Sequence, residues 1–220
     1  MKKNMPYILI VLSLIIGFFI KDYFDVSKTD NTEKLNNNSN IITQQFETLL
    51  IYPKKNKLPA FQLIDQFNQK FINENLEGRW NFIFSGYTNC PDVCPVTLSK
   101  MAELYKLLSA ETKNKVQFIF LSVDPARDTP EHLKDYVGYF NQNFIGVSGE
   151  KSQIDPLIKS LGGIYSINQS EGEFYTVDHS SRIFIVGPQA RRYGLLDSQI
   201  INKNDKEPLI NDINKLINND

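Results

Sequence analysis

Residues 81–95 read Asn-Phe-Ile-Phe-Ser-Gly-Tyr-Thr-Asn-Cys-Pro-Asp-Val-Cys-Pro. The first part is an apolar run that predicts a strand buried on both faces. The stretch holds the two cysteines of the 220-residue chain, Cys90 and Cys94, four positions apart. Pro95 suits the first position of a helix, and the apolar residues after it recur at helical spacing. Two thiols at a strand-to-helix turn form either a redox pair or two soft metal ligands.

Strand and helix patterns alternate outward from this stretch. Thr129-Pro130-Glu131 is typical of a helix start, with Thr129 as the cap. Such alternation indicates an α/β domain with a central sheet flanked by helices. The pattern ends with paired strands and a helix, as thioredoxin-like folds do. The other predicted segments are strands at 58–65, 116–123, 144–147, 181–186 and 192–196, and helices around 153–161 and from Pro208 onward.

The first 25 residues predict a membrane anchor. Tyr7–Ile20 carries no charge and follows Lys2 and Lys3. Counted from Met5, this segment would form a helix of about 24 Å, slightly short of the hydrocarbon core, and flanking residues could extend it. A cleaved signal peptide is the alternative, but no small-residue cleavage site follows Ile20. The flanking lysines favour a cytoplasmic N-terminus, which predicts a single-pass protein of the bacterial inner membrane with its body in the periplasm.

Composition limits which structures and functions the rest of the chain can have. Residues 26–45 are polar and Asn-rich, which predicts a linker, and residues 46–220 form the predicted thioredoxin-like domain. A net charge of −1 offers no basic face for nucleic acid. Two cysteines are too few for a disulfide-stapled scaffold, so an apolar content of 41% must supply a hydrophobic core.

The thiol pair admits several chemistries. Cys94 is expected at a helix N-terminus, where the unpaired N–H groups favour an anion and so the thiolate. A structural disulfide across so short a loop would add little stability. Dithiol oxidoreductases of the thioredoxin kind use C-x-x-C, whereas this motif is C-x-x-x-C. A peroxiredoxin would carry threonine or serine three residues before its reactive cysteine, and neither Cys90 nor Cys94 has one there.

A metal site needs further ligands, and the chain has two histidines, His132 and His179. His132 falls in the first turn of the helix capped by Thr129, among solvent-facing residues. His179 precedes a strand, and in a thioredoxin-like sheet the loop that enters this strand faces the cysteine turn. Asp178 beside it could orient the imidazole. Two thiolates and one imidazole suit copper, Cu(I) or Cu(II), better than structural zinc, which takes four ligands.

Three stretches together resemble the Sco/SenC family, which handles copper for the assembly of cytochrome c oxidase. They are Phe84–Pro95, Ser122–Pro130 and Val177–Ser180, in the family's order and spacing, within a similarity that covers roughly residues 58–196. The resemblance implies a membrane-anchored copper-binding domain with Cys90, Cys94 and His179 as ligands. Family members often have histidine where this chain has asparagine at position 89, so that position offers no extra ligand.

The resemblance also implies partners. The expected client is the copper-site subunit of cytochrome c oxidase, with other copper chaperones or thiol reductants as further partners. The leading hypothesis is a metallochaperone. A thiol–disulfide oxidoreductase, with Cys90 and Cys94 as its redox-active pair, and a redox-sensing module are the alternatives. His179 separates them, because copper coordination requires it and disulfide exchange does not. Oxidation of the pair would prevent metal binding, since a disulfide does not bind copper as thiolates do.

Overall fold

The computed structural model describes residues 46–168, 176–179 and 181–218. The chain divides into a unit of residues 1–45 and a unit that begins at Phe46. The predicted anchor and linker therefore lie outside the described residues. No described helix has the length and apolar character needed to cross a bilayer.

The described elements alternate between strands and helices along most of the chain. The strands are β1 Leu49–Ile51, β2 Gln62–Asp65, β3 Lys70–Ile72, β4 Trp80–Gly86, β5 Val116–Ser122, β6 Ile145–Ser148, β7 Tyr165–Asn168, β8 Thr176–His179, β9 Arg182–Gly187 and β10 Arg191–Asp197. The helices are α1 Val93–Leu107, α2 Ala110–Lys115, α3 Pro130–Phe140, α4 Lys151–Leu161, α5 Ser198–Ile201 and α6 Glu207–Asn218, with a 3-10 helix at Asn73–Leu76.

Eight of the described strands form one mixed sheet in the order β1-β10-β9-β4-β5-β6-β2-β3. The central strands β4, β5 and β6 are parallel to one another, and β9 pairs antiparallel with β4. The remaining pairs of this sheet are antiparallel. Strands β7 and β8 form a separate antiparallel pair. The predicted α/β class is confirmed, and helices flank the sheet on both faces.

Strand β4 lies at the centre, and all seven of its residues are buried. Successive side chains of a strand point to opposite faces of the sheet. Phe82 and Phe84 pack on one face with residues of α1, α3 and α6. Ile83 packs on the other face with residues of α4. The apolar run before the cysteines is therefore a strand covered on both faces, as predicted.

Helix α1 differs from its predicted start. It begins at Val93, with Asp92 as the preceding cap residue, so Pro95 occupies the third helical position rather than the first. Proline is tolerated there because backbone N–H groups in the first turn have no partner within the helix. The shift places Cys94 inside the first turn of α1. Helix α3 begins as predicted, since the Thr129 hydroxyl accepts a hydrogen bond from the backbone N–H of His132.

Candidate metal centre

The two cysteines flank the junction between the loop after β4 and helix α1. Cys90 lies in the loop and is partly exposed, whereas Cys94 lies in the first turn of α1 and is 0% exposed. Both are reduced cysteines that are not joined in a disulfide. The backbone N–H of Cys90 donates to the carbonyl of Tyr87 over 3.2 Å, which closes the turn. Thus one thiol is open to solvent and the other belongs to the core.

A side-chain hydrogen bond joins the thiols of Cys94 and Cys90. This bond, together with burial, raises the pKa of Cys94 well above its ordinary value, although a hydrogen bond from the Tyr87 backbone acts in the opposite direction. The expectation that the helix N-terminus would acidify Cys94 is therefore wrong. Desolvation penalises a buried thiolate more than the first turn of one helix stabilises it. In the metal-free protein, Cys94 therefore keeps its proton.

Gly86, the last residue of β4, makes room for the buried sulfur. A Cβ atom added at this position would lie 2.5 Å from the Sγ atom of Cys94 and 3.0 Å from the ring of Phe120. The first distance is shorter than real Cβ contacts show, and the second is tighter than most of them. The sulfur therefore rests directly against the backbone at the end of the strand, which only glycine permits.

The cysteine loop is tied to the loop that follows β5. Asp128, 2% exposed, accepts hydrogen bonds from the backbone N–H of Thr88 over 3.0 Å and from its hydroxyl over 2.7 Å. The Ser122 hydroxyl donates to the same carboxylate over 2.6 Å. Burial raises the pKa of Asp128 despite these three donors, which act to lower it. Asp128 thus holds the cysteine loop against the end of β5.

Asp124 and Arg127 complete this loop without forming a metal site. They make an ion pair, and the guanidinium of Arg127 lies 5.4 Å from the ring centroid of Tyr87. The Nδ1–H of His132 donates a hydrogen bond to the Arg127 carbonyl over 3.1 Å, and His132 is exposed, in agreement with its expected place among solvent-facing residues. Among the side chains that the structure describes, which exclude those of Asp178 and His179, no three His, Cys, Asp or Glu residues form a metal-binding group.

His179 ends strand β8, whereas the sequence predicts a loop there. In the β7–β8 pair it lies opposite Tyr165, and Asp178 lies opposite Ser166. The side chains of Asp178 and His179 fall outside the described part of the structure. Their predicted roles, as ligand for His179 and as orienting group for Asp178, therefore remain predictions.

The backbone of β8 contacts the cysteine turn through Tyr87. The buried Tyr87 hydroxyl is hydrogen-bonded to the backbone of Val177, and burial is the main cause that raises the pKa of this phenol. Val177, two residues before His179, is itself 4% exposed and packs in the same cluster as Tyr87 and Cys90. The fold therefore brings the backbone of the histidine strand to the residue three positions before Cys90.

Three residues of this region were not identified as functional from the sequence: Gly86, Tyr87 and Tyr136. The first two lie within the quoted stretch, and a glycine at the end of a buried strand could have indicated close approach by another group. Tyr136 follows the apolar spacing of α3, which predicts a buried position and no function. Its nearness to the thiols depends on how α3 packs, so no local pattern could have revealed it.

Comparisons with known proteins agree with this geometry. The SCO1/SenC family model matches residues 52–218. A protein of Stutzerimonas stutzeri, whose name proposes copper binding, is 41% identical over 156 residues, which cover 70% of this chain and 76% of that protein.

Two solved structures are similar over most of the domain. Bradyrhizobium japonicum ScoI, solved with copper bound, is 31% identical with a TM-score of 0.65, over 72% of this chain and 98% of that chain. BsSco, a member of the Sco family of cytochrome c oxidase assembly proteins in which a disulfide switch was identified, is 25% identical with a TM-score of 0.61, over 78% of this chain and 99% of that chain.

Proposed function

Because the chain belongs to the SCO1/SenC family, we propose that it is a copper metallochaperone that acts in cytochrome c oxidase assembly. Copper is its cargo rather than a resident cofactor. Cys90, Cys94 and His179 are the proposed ligands, and Asp178 is proposed to orient the imidazole. The copper-site subunit of cytochrome c oxidase is the proposed recipient, with other copper chaperones or thiol reductants as upstream partners.

The contact between the two thiols carries this proposal. Cys90 and Cys94 are not joined in a disulfide and are hydrogen-bonded to each other, so their sulfurs are close enough to bind one ion. Thiolates are soft ligands that select Cu(I), and imidazole accepts both Cu(I) and Cu(II). Binding would release the thiol protons, because the thiolate is the form that coordinates metal.

The arrangement suits a site that both takes up and releases its ion. Cys90 is partly exposed, which gives an incoming chaperone or an acceptor access to one sulfur, while buried Cys94 provides a fixed second ligand. Structural zinc sites are closed by four ligands. Three ligands leave copper a position through which an acceptor ligand can attach before the donor ligands leave.

The proposal also includes the cellular location of the domain. A single-pass anchor in residues 1–25 and a polar linker in residues 26–45 would keep the domain near a membrane-bound oxidase. The periplasmic face of a bacterial inner membrane is the compartment we propose for the domain. An oxidising compartment would also set how much of the dithiol is available for copper.

A thiol–disulfide oxidoreductase is the second candidate, favoured by the partial exposure of Cys90 and by the disulfide switch of BsSco. In that reaction the Cys90 sulfur attacks a client disulfide and releases one client thiol. Cys94 then attacks the mixed disulfide, so the Cys90–Cys94 pair is oxidised as the client is reduced. Both functions start from the reduced pair, and the Cys90–Cys94 disulfide that the reductase reaction leaves cannot bind copper as thiolates do.

The chain's two histidines separate the candidates. We expect His179→Ala in the full-length, fully reduced protein to weaken copper binding at least tenfold, because it removes one of three ligands. His132→Ala is the matched control and should bind copper as the wild type does, since His132 is exposed and lies on α3. Copper affinity is measured by competition with a chromophoric Cu(I) chelator.

Disulfide reduction is measured on the same variants. The rate at which they reduce a model disulfide should change much less for His179→Ala than the copper affinity does. Wild-type copper affinity in His179→Ala would refute the proposed ligand set. A loss of reductase rate equal to the loss of affinity would show that the substitution disturbs the thiol pair itself, and would also count against His179 as a ligand.

A further inference from the structure

A buried hydroxyl near the thiols has no role in the metal-free protein. Tyr136 lies on α3, and within the described part of the chain its hydroxyl is shielded from solvent and makes no hydrogen bond. A buried donor left unsatisfied costs about 1–3 kcal/mol, so such groups in folded proteins call for an explanation. Packing does not provide one, because phenylalanine would fill the same space.

The ring of Tyr136 belongs to the wall of the cysteine site. Its centroid lies 5.4 Å from that of Phe120, and both rings pack in the cluster that contains Cys94. Phe120 in turn lies beside Gly86, at the point where the Cys94 sulfur approaches the backbone. Helices α1 and α3 also contact each other on this face of the sheet. Tyr136 is therefore on the same side of the sheet as the sulfurs, in the layer next to Cys94.

The Tyr136 side chain lies near three acidic side chains of the site, those of Cys94, Cys90 and Asp128. Burial is the largest cause that raises its pKa, and the neighbouring Cys94, Cys90 and Asp128 raise it further. Its proton is therefore retained under neutral conditions, and the hydroxyl can only be a donor towards these groups. In the free dithiol the Cys94 sulfur already has partners in Cys90 and in the Tyr87 backbone.

We propose that the Tyr136 hydroxyl donates a hydrogen bond to the Cys94 sulfur when that sulfur becomes a metal-bound thiolate. Copper binding releases two thiol protons to solvent and removes the Cys94–Cys90 hydrogen bond, which leaves negative charge on a buried sulfur. Hydrogen bonds to charged groups are stronger than those between neutral groups. The unpaired donor thus stabilises the loaded state and not the empty one. This inference rests on the proposed copper-binding function.

The variant Tyr136→Phe isolates the hydroxyl. We expect it to weaken Cu(I) binding by about tenfold, the loss of one hydrogen bond to a charged group. The free energy of unfolding of the reduced, copper-free protein should be unchanged or higher, because a buried unpaired group is removed. Tyr139→Phe, on the same helix with its side chain 85% exposed, is the matched control and should change neither quantity.

Both quantities are measured on the full-length reduced chain, the affinity by competition with a chromophoric Cu(I) chelator and the stability by urea unfolding. Wild-type copper affinity in Tyr136→Phe would overturn the inference. So would a loss of copper-free stability equal to the loss of binding, since that would show a purely structural role. If the wild-type chain itself bound no copper, the proposed function would fail, and the inference with it. The two failures are distinguished because one appears in the wild type and the other only in the variant.

Discussion

At the proposed site, the Cys94 sulfur fits against the backbone of Gly86 only because that residue has no side chain. The Cys94 sulfur rests where a side chain at position 86 would be, and Phe120 closes the same space from the next strand. The buried sulfur and an aromatic ring of the core therefore both lie against the strand backbone at this position. This contact fixes one of the two sulfurs and leaves the other in a loop that reaches solvent.

Gly86→Ala tests that contact. The added methyl group would meet the Cys94 sulfur at 2.5 Å and must displace it. We expect copper affinity to fall at least tenfold and the free energy of unfolding to fall by about 1–3 kcal/mol, the usual cost of overpacking a core. Chelator competition and urea unfolding measure the two effects.

Gly138→Ala is the control for this prediction. Gly138 lies within α3, and an added Cβ would meet the flexible end of Gln142 at 3.3 Å. Alanine should stabilise the helix by about 0.5–1 kcal/mol without changing copper affinity. Unchanged copper affinity in Gly86→Ala would show that the position of the Cys94 sulfur does not matter for binding.

Among the elements, the loop between β4 and α1 depends on the loop between β5 and α3. Asp128 joins them by accepting from Thr88 and from Ser122, so the parallel strands β4 and β5 end in one hydrogen-bonded network. Loops at the carboxyl ends of adjacent parallel strands meet at one edge of a sheet, which is where α/β proteins commonly bind ligands. The position of Cys90 is thus set by a carboxylate 38 residues further along the chain.

Asp128 should make the free energy of unfolding depend on pH. Its raised pKa means that the folded protein keeps the proton at pH values where the unfolded chain has lost it. In that window the unfolded state binds fewer protons, so the contribution of this carboxyl to stability falls as pH rises from the unfolded pKa to the folded one. Above both values the buried carboxylate is charged, and the contribution no longer changes.

Urea unfolding of the wild type and of Asp128→Asn from about pH 4 to about pH 7 tests this sign. Asparagine cannot accept from all three donors, so the variant should be less stable throughout, by about 1–3 kcal/mol. The difference between the two proteins should shrink as pH rises. Asp135→Asn, at an exposed position on α3, serves as the control. Its free energy of unfolding should change with pH as that of the wild type does. A difference that grows with pH would mean that the pKa of Asp128 is lowered in the folded protein.

In the whole domain, the first and last parts of the described chain are joined. Asp212 on α6 accepts from the backbone N–H of Thr48 over 2.6 Å and from its hydroxyl over 2.7 Å. Phe46 packs in the same core cluster as Ile213 and Leu216 of α6. The entry of the chain into the domain is therefore fixed against the final helix, on the face of the sheet that also carries α1.

Asp212→Ala should lower the free energy of unfolding by about 1–3 kcal/mol, because it leaves the Thr48 N–H and hydroxyl without their acceptor. Copper affinity should not change, since this contact touches neither the two cysteines nor the loops that hold them. Asp135→Ala provides a comparison at an exposed site and should alter stability by less than about 0.5 kcal/mol. A copper affinity that fell together with stability would show that the C-terminal helix influences the site.

Much of the architecture could be predicted because it depends on local patterns. The buried strands on either side of α1 and the cap of α3 appear where apolar runs and capping residues predict them. Short edge strands such as β1 and β3 were not predicted, since three residues carry too little periodicity. Strand β8 was taken for a loop because its pairing with β7 depends on a neighbour rather than on its own residues.

The sequence by itself determined the α/β class, the thiol pair at the turn between β4 and α1, and the resemblance to the family. These features depend on residue spacing and local pattern, which the sequence contains. Only the tertiary structure decided that Cys94 is buried with a raised pKa, that Gly86 admits its sulfur, and that the unpaired Tyr136 hydroxyl lies in the same core cluster. Each of these depends on which elements pack together. Desolvation and close contact arise between residues distant in the chain, and no spacing along the sequence records them.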